Sequence, residues 1–201
     1  MTEVLLSGGP VMIPIILASV LALAVSLERA VALRRSSVIR PEIAAVLDAV
    51  EDESGVQTVL EVCRRFPGSF SRIVATCLEV RSLESAEARD AVADVGRREV
   101  HEIRRGLGIL ETVAGVAPLL GLLGTVLGMI RVFQTLATEG LGEAATLSGG
   151  ISEALVTTAA GLCVGIPAFL AHSYFSHRSE ALILDIEERV NRFLRHLAVH
   201  S

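Results

Sequence analysis

One uncharged stretch, residues 112–133, constrains what this chain can fold into more than any other feature. It reads TVAGVAPLLGLLGTVLGMIRVF, and no residue between Glu111 and Arg131 is charged. Its length matches the roughly 20 residues that a helix needs to cross a bilayer. Gly121, Thr125 and Gly128 follow i, i+4, i+7 spacing, so one helix face carries small residues and a single hydroxyl. Such a face allows close helix packing, in which Thr125 would bond back to a carbonyl one turn earlier.

Two further stretches have the same apolar character. Residues 149–168, GGISEALVTTAAGLCVGIPA, combine small residues with hydroxyls, and residues 11–27 are uncharged and followed by a basic cluster. A cleaved signal peptide would have its basic residues before the apolar run, so a retained first membrane helix is expected. The 201 residues are 51% hydrophobic and only 3% aromatic, with a mean hydropathy of +0.57. This composition favours a membrane protein over a soluble domain.

The two inner stretches, APLLGLLGTVLGM and GGISEALVTTAAGLCVGIPA, resemble the two inner helices of the ExbB/TolQ family of proton-channel subunits, more distantly related to flagellar MotA. The resemblance is strong from about residue 114 to 175 and weak over the first membrane segment. It implies an all-α membrane protein with three transmembrane helices and long helices extending into a cytoplasmic helical region. It also implies a pentamer around a central pore, in the bacterial inner membrane.

The distribution of arginine predicts the orientation. Arginines follow the first and third apolar stretches and precede the second, whereas the amino terminus and the 134–148 loop have none. The positive-inside rule therefore places the amino terminus outside and the carboxyl terminus in the cytoplasm. The expected segments are a first span at about 11–33, a cytoplasmic region at 34–110, a second span at 111–136, a periplasmic loop at 137–148, a third span at 149–175 and a cytoplasmic helix at 176–201.

Turn signals divide the polar region into helices. Pro41 is expected in a first turn, helices are expected at 56–65 and 71–81, and Pro67-Gly68 is expected to form a turn. From Ser85 the pattern predicts one continuous helix that runs into the second membrane span. The final helix is amphipathic, and its apolar face would comprise Leu182, Ile183, Ile186, Val190, Phe193, Leu194 and Leu197.

Glu153 has two interpretations from the residues alone. It follows Ser148-Gly149-Gly150, so it can be a first-turn acid that the helix dipole favours. The family resemblance instead matches it to the acid at the outer mouth of the third helix. Thr157 lies one turn deeper on the same face, and Thr158 lies on the adjacent face with Ala154, Gly161 and Gly165. Hydroxyls can relay hydrogen bonds or hold water without ionising, which suits a partly wetted path.

The resemblance assigns roles to residues of the two inner helices. Thr125 and Thr158 match the two threonines that face the partner helix in the pore, so Thr125, Thr158, Glu153 and Thr157 are the predicted proton path. The residues predicted to shape the pore and pack its helices are Pro118, Gly121, Gly124, Gly128, Gly161, Gly165 and Pro167.

Two other charged positions have simpler interpretations. Glu28 would form an ion pair with Arg29 at the end of the first helix. The long side chain of Arg131 would reach the lipid headgroups, so it is left out of the predicted path. Cys63, Cys77 and Cys163 match no metal or redox spacing and are expected to be ordinary buried thiols.

The middle of the predicted membrane region contains no Asp, Glu, His or Lys, although proton passage normally needs a titratable group. The resemblance implies a partner that supplies one, an ExbD- or TolR-like single-helix subunit with a membrane aspartate. It also implies a TonB- or TolA-like protein that receives the motion. The coupling ion would be H⁺, with Na⁺ less favoured, and no cofactor or metal is expected.

The sequence bears on three other function classes. A passive oligomeric membrane scaffold would explain the glycine faces without ion conduction and stays open. An enzyme is not expected, because the sequence shows no nucleophile–base pair, metal-ligand cluster or phosphate-binding loop. A net charge of −5 and the absence of a basic stripe speak against nucleic-acid binding.

Overall fold

The computed structural model describes residues 9–50, 55–80, 86–139 and 144–199, and these residues form helices with no strand among them. The helices are α1 (Met12–Ala32), α2 (Arg35–Val38), α3 (Pro41–Ala49), α4 (Val56–Arg65), α5 (Ser69–Glu79), α6 (Ala86–Arg104), α7 (Leu107–Glu139) and α8 (Ala144–Val199). The all-helical class predicted from the sequence is confirmed.

Three helices are long and apolar enough to cross a membrane. The qualifying stretches are Met12–Ala32, Leu107–Thr138 and part of Ser148–Arg195. Each overlaps one of the three apolar stretches of the sequence. In lipid, a stretch of that length can satisfy all of its backbone hydrogen bonds within itself only as a helix.

The chain divides into two compact units. Residues 1–27 and 106–174 form the apolar unit, and residues 28–105 and 175–201 form the polar unit. In the apolar unit, Val11, Met12 and Ile15 at the start of α1 are buried. They pack against one residue of α7 and two of α8, which are Leu120, Ala160 and Val164.

The polar unit has a core of larger side chains. Phe70, Ile43, Val59 and Val74 are almost fully buried, and so is the apolar face of the last part of α8. That face comprises Leu182, Ile186, Val190 and Phe193, as the spacing predicts, with Ile183 and Leu194 partly buried beside them. The side chain of Leu197 lies outside the described residues. The predicted pair of Glu28 and Arg29 is present.

The prediction of one continuous helix leading into the second membrane span is wrong. Helix α6 ends at Arg104 and α7 begins at Leu107. Between them Gly106 has φ +78°, a left-handed conformation that glycine adopts without steric cost. Such a residue ends the helical hydrogen-bond ladder, so the chain breaks here. In contrast, α8 does continue from the third apolar stretch to Val199.

Two local expectations also differ from the structure. Helix α7 continues to Glu139 and α8 begins at Ala144, so helix occupies much of the expected 137–148 loop, and residues 140–143 are outside the described part. Cys63 and Cys77 are buried, but Cys163 is exposed, contrary to the expectation for all three. Burial raises the pKa of the Cys63 thiol to about 11.

Candidate functional site

Helices α7 and α8 meet along a seam of small residues. A Cβ added to Gly161 would lie 2.6 Å from the carbonyl oxygen of Ala117 and 3.0 Å from the Cα of Gly121. On the other side, a Cβ on Gly121 would lie 3.0 Å from the Cα of Thr158. The seam continues at both ends. A Cβ added to Gly165 would lie 2.6 Å from the Pro118 Cγ, and a Cβ added to Gly128 would lie 2.8 Å from the Ala154 Cβ. The two backbones are therefore in direct contact, as in tightly packed membrane helices.

Two of the three predicted path threonines, Thr125 and Thr158, lie beside this seam and are partly exposed. The Thr158 hydroxyl donates a hydrogen bond across the helices to the carbonyl oxygen of Gly121, at 2.9 Å. The Thr125 hydroxyl donates to the carbonyl oxygen of Leu122 in its own helix, at 2.6 Å. Each hydroxyl retains lone pairs that can accept a hydrogen bond from water or a partner group.

Thr157 lies in the seam itself. Its side chain is 1% exposed, and its hydroxyl donates to the carbonyl oxygen of Glu153 at 2.8 Å. A Cβ added to Gly124 would lie 2.2 Å from the Thr157 Cγ2 methyl group. Thr157 therefore fills the space that Gly124 leaves, whereas Thr125 and Thr158 reach the surface of the helix pair.

Glu153 forms an ion pair that the sequence did not predict. Its Oε1 accepts a hydrogen bond from Arg131 Nη1 at 2.7 Å, joining α8 to α7. The Arg131 side chain is 50% exposed and that of Glu153 is 26% exposed. Gly9, just before α1, has φ +65°, and a Cβ added there would lie 2.0 Å from the same Glu153 oxygen. Three segments of the apolar unit thus meet at this carboxylate.

The ion pair lies on a different side of the helix pair from Thr125 and Thr158. At 100° per residue, Arg131 lies within about 20° of Leu120, and Glu153 within about 20° of Ala160. Leu120 and Ala160 contact the start of α1. By the same arithmetic Thr125 lies about 140° from Leu120, and Thr158 about 160° from Ala160. Glu153 therefore faces α1, and the two hydroxyls face away from it.

The prolines differ in their surroundings. Pro118 is half-buried and packs against the seam at Gly165, whereas Pro167 is exposed. Pro167 borders a shallow groove on the α1 side of α8, together with Ser19, Ala22, Leu23, Ser26, Cys163, Val164 and Ala168. Among the described residues no group of three or more His, Cys, Asp or Glu side chains could hold a metal ion.

Comparison with known proteins identifies the family of the chain. The family described as the MotA/TolQ/ExbB proton channel family matches residues 66–188, which include the whole α7–α8 seam. The chain belongs to the MotA/TolQ/ExbB family. Within this family the three apolar helices make it a multi-pass protein of the bacterial inner membrane.

Members of the MotA/TolQ/ExbB family are similar to the chain over different shares of their length. A biopolymer transport protein of Synechocystis, ExbB-like 1, is 40% identical over 174 residues, 82% of this chain and 66% of that protein. A second Synechocystis protein, ExbB-like 3, is 32% identical over 85% of this chain and 82% of its own length. The Tol-Pal system protein TolQ of Pseudomonas aeruginosa is 45% identical over 43% of this chain and 37% of its own length. The relatives named here are transport or Tol-Pal proteins, and none of their names describes an enzyme.

The sequence of this MotA/TolQ/ExbB chain carries one signal for the Arg131–Glu153 pair. Both residues lie 11 positions from residue 142, which is near the middle of the loop predicted at 137–148. In an antiparallel hairpin, positions equally far from the loop lie at the same height. Opposite charges at such positions predict an ion pair if both side chains lie on the sides of the helices that face each other. The sequence alone does not establish that orientation.

Proposed function

We propose that the chain is a proton-conducting subunit of an ExbB–ExbD or TolQ–TolR type complex. The complex uses the proton motive force to energise a TonB- or TolA-like protein for outer-membrane transport or envelope maintenance. The observation that carries the proposal is the α7–α8 pair itself, in which Thr125 and Thr158 lie partly exposed beside a glycine seam. The family membership supports the same function.

The proposed architecture is a pentamer with the amino terminus outside and the carboxyl terminus in the cytoplasm. Helices α7 and α8 line the lumen, and α1 lies toward lipid. The exposed apolar side chains of all three helices support this arrangement, because α7 and α8 need neighbouring helices or lipid to cover them. A pentamer would leave each pair of hydroxyls on the lumen side, away from α1.

The titratable group of the path would come from a single-helix partner with a membrane aspartate. Residues 112–130 and 154–171 contain no Asp, Glu, His or Lys, so the chain offers hydroxyls but no proton carrier at mid-membrane depth. A proton that crosses about 100 mV releases roughly 2.3 kcal/mol, which is enough to bias a rotation or a conformational step. The coupling ion is proposed to be H⁺, since few oxygen ligands are available for a dehydrated Na⁺.

The experiment measures proton flux in proteoliposomes that contain the chain co-purified with its candidate partner. Thr158→Val and Thr125→Val are expected to lower the flux at least about tenfold, which corresponds to about 1.4 kcal/mol in the barrier. Thr158→Ser keeps the hydroxyl and is expected to restore most of the flux. Thr112→Val is the matched control, because the Thr112 hydroxyl bonds back to Gly108 and Thr112 is exposed.

A passive scaffold remains the alternative, and the hydrogen bonds of both threonines within the helix pair favour it. It predicts that the two valine variants assemble normally and behave as wild type in every assay of the complex. Wild-type flux in both variants would remove the proposed path.

A further inference from the structure

We propose that Arg131 is a positioning residue for Glu153, and that the two form a neutral clasp that fixes the start of α1 to the α7–α8 hairpin. The proposal rests on the proposed function, because it assigns Glu153 a role in the same channel. In this role the carboxylate does not carry protons. It serves instead as the counter-charge that holds three segments together at one end of the apolar unit.

The contacts of the carboxylate support a clasp. One oxygen, Glu153 Oε1, is within 2.7 Å of Arg131 Nη1 and is also the atom closest to an added Gly9 Cβ. The carboxylate is thus placed between the guanidinium of α7 and the backbone that leads into α1. Gly9 leaves room for it, because any side chain there would displace the carboxylate, and the left-handed φ of +65° disfavours a larger residue as well.

The direction of the side chains separates the clasp from the proposed path. Glu153 shares a side of α8 with Ala160, which contacts α1, and Arg131 shares a side of α7 with Leu120, which also contacts α1. Thr125 lies on the far side of α7 from this contact. A proton that moves between the Thr125 and Thr158 hydroxyls would therefore pass on the side away from the Glu153 carboxylate. Thr157 lies on the Glu153 side of α8, but it is buried in the seam, and its hydroxyl donates to the Glu153 carbonyl oxygen.

The energetics of a charge pair give the clasp a distinctive mutational pattern. Removing one partner leaves the other charge without its counter-charge at a contact where Glu153 is only 26% exposed, which is worse than removing both. A clasp therefore predicts damage from each single neutral substitution and recovery in the double one. An obligatory proton carrier predicts loss in every variant that lacks the Glu153 carboxyl group, the double variant included.

The test uses the full chain co-purified with its candidate partner, and proton flux is normalised to assembled complex. Glu153→Gln and Arg131→Gln are each expected to lower flux at least about tenfold. The double variant and the charge swap, Arg131→Glu with Glu153→Arg, are expected to recover most of that loss. Arg131→Lys, which keeps the charge, is expected to retain flux.

Two results would overturn the clasp. A double variant as inactive as Glu153→Gln would identify Glu153 as a proton carrier, and wild-type flux in Arg131→Gln would show that Arg131 positions nothing. The melting temperature of each variant in detergent gives an independent reading, since a clasp predicts that the double variant loses less than the two single losses combined. If wild type conducts no protons, the proposed function fails, and the melting temperatures still decide the clasp.

Gly9 provides a separate check. Gly9→Ala is expected to lower flux because its Cβ would displace the Glu153 carboxylate. Gly149→Ala is the matched control, since Gly149 lies near the same end of α8 and an added Cβ there meets nothing within 4 Å. Equal flux in these two glycine variants would contradict the proposed contact of the clasp with α1.

Discussion

The apolar and polar units are packed in opposite ways. In the apolar unit the seam between α7 and α8 consists mainly of small residues, and large side chains such as Phe133 and Phe169 are exposed, although Leu110 and Val113 of α7 are buried. In the polar unit the largest side chains, such as Phe70 and Ile43, are the ones buried. One chain therefore follows two packing rules, one for each solvent.

The difference in packing follows from the interactions that stabilise helices in water and in lipid. Water favours burial of apolar surface, at roughly 25 cal/mol per Å², so the polar unit gathers its large side chains into a core. Lipid gives no such gain, because its tails are as apolar as leucine, and helices there associate through close backbone contact and hydrogen bonds. Glycine is costly in a water-soluble helix, whereas the α7–α8 seam depends on it.

The largest expected effect comes from breaking the seam. Gly161→Ala places a Cβ 2.6 Å from the Ala117 carbonyl oxygen, and because the obstacle is backbone the helices must separate. We expect a large fall in melting temperature in detergent and loss of assembled complex. Gly115→Ala is the control, because an added Cβ there meets nothing within 4 Å. If both variants melt like wild type, the seam is not close-packed.

The next largest effect tests the polar unit. Phe70 is 0% exposed, so Phe70→Ala should cost about 3–5 kcal/mol of unfolding free energy through lost burial and a cavity. Phe169 is 61% exposed in the apolar unit, and Phe169→Ala should change the unfolding free energy of the detergent-solubilised chain much less. Denaturant titration of both variants measures the contrast, and equal losses would show that the two units are not packed differently.

A smaller effect concerns the ion pair between Arg72 and Glu99 of the polar unit. Burial alone would raise the pKa of Glu99, but hydrogen bonds from Arg72 and Ser69 outweigh it and hold the pKa below its usual value. A lowered folded-state pKa contributes stability above the unfolded value of about 4.3, and this contribution is lost as pH falls through the folded pKa.

Glu99→Gln should therefore remove the pH-dependent contribution of the Arg72–Glu99 ion pair to the unfolding free energy. We expect a loss of about 1 kcal/mol at neutral pH, the difference between a charged and a neutral hydrogen bond. Below the folded pKa the variant and wild type should converge. Thermal unfolding between pH 3 and 7 measures this, and a constant difference across that range would contradict the assignment.

The smallest effect is on thiol reactivity and should leave stability unchanged. With its pKa near 11, Cys63 would be only about 0.1% thiolate at pH 8, and the thiolate is the reactive form. Burial also raises the pKa of Cys77. Both should react with iodoacetamide far more slowly in the folded protein than after denaturation, as followed by mass spectrometry. If Cys63 and Cys77 were labelled as fast in the folded protein as after denaturation, the core of the polar unit would be accessible to the reagent.

Much of the fold could be predicted from local sequence. The helix at Val56–Arg65 was predicted with its observed bounds, and each uncharged run became a long helix. The break at Gly106 does not follow from the sequence, because a glycine within a helical pattern is usually tolerated. Only its left-handed φ, which depends on the surrounding structure, distinguishes a helix end from an ordinary interior glycine.

The site was less predictable because its residues are on different helices. Periodicity places Thr157 and Thr158 on adjacent faces of α8, but it does not say which face meets α7. The structure places Thr157 in the seam and leaves Thr158 partly exposed. The pairing of Arg131 with Glu153 likewise depends on the rotation of two helices about their axes, which no local pattern in either helix determines.

The central claim is that the α7–α8 pair lines a lumen shared by several subunits and a partner helix. Native mass spectrometry of the detergent-purified chain, alone and co-expressed with its candidate single-helix partner, tests it most directly. We expect a pentamer that takes up two partner helices. A monomer or dimer that does not bind the partner would contradict the claim, because no lumen would then exist for Thr125 and Thr158 to line.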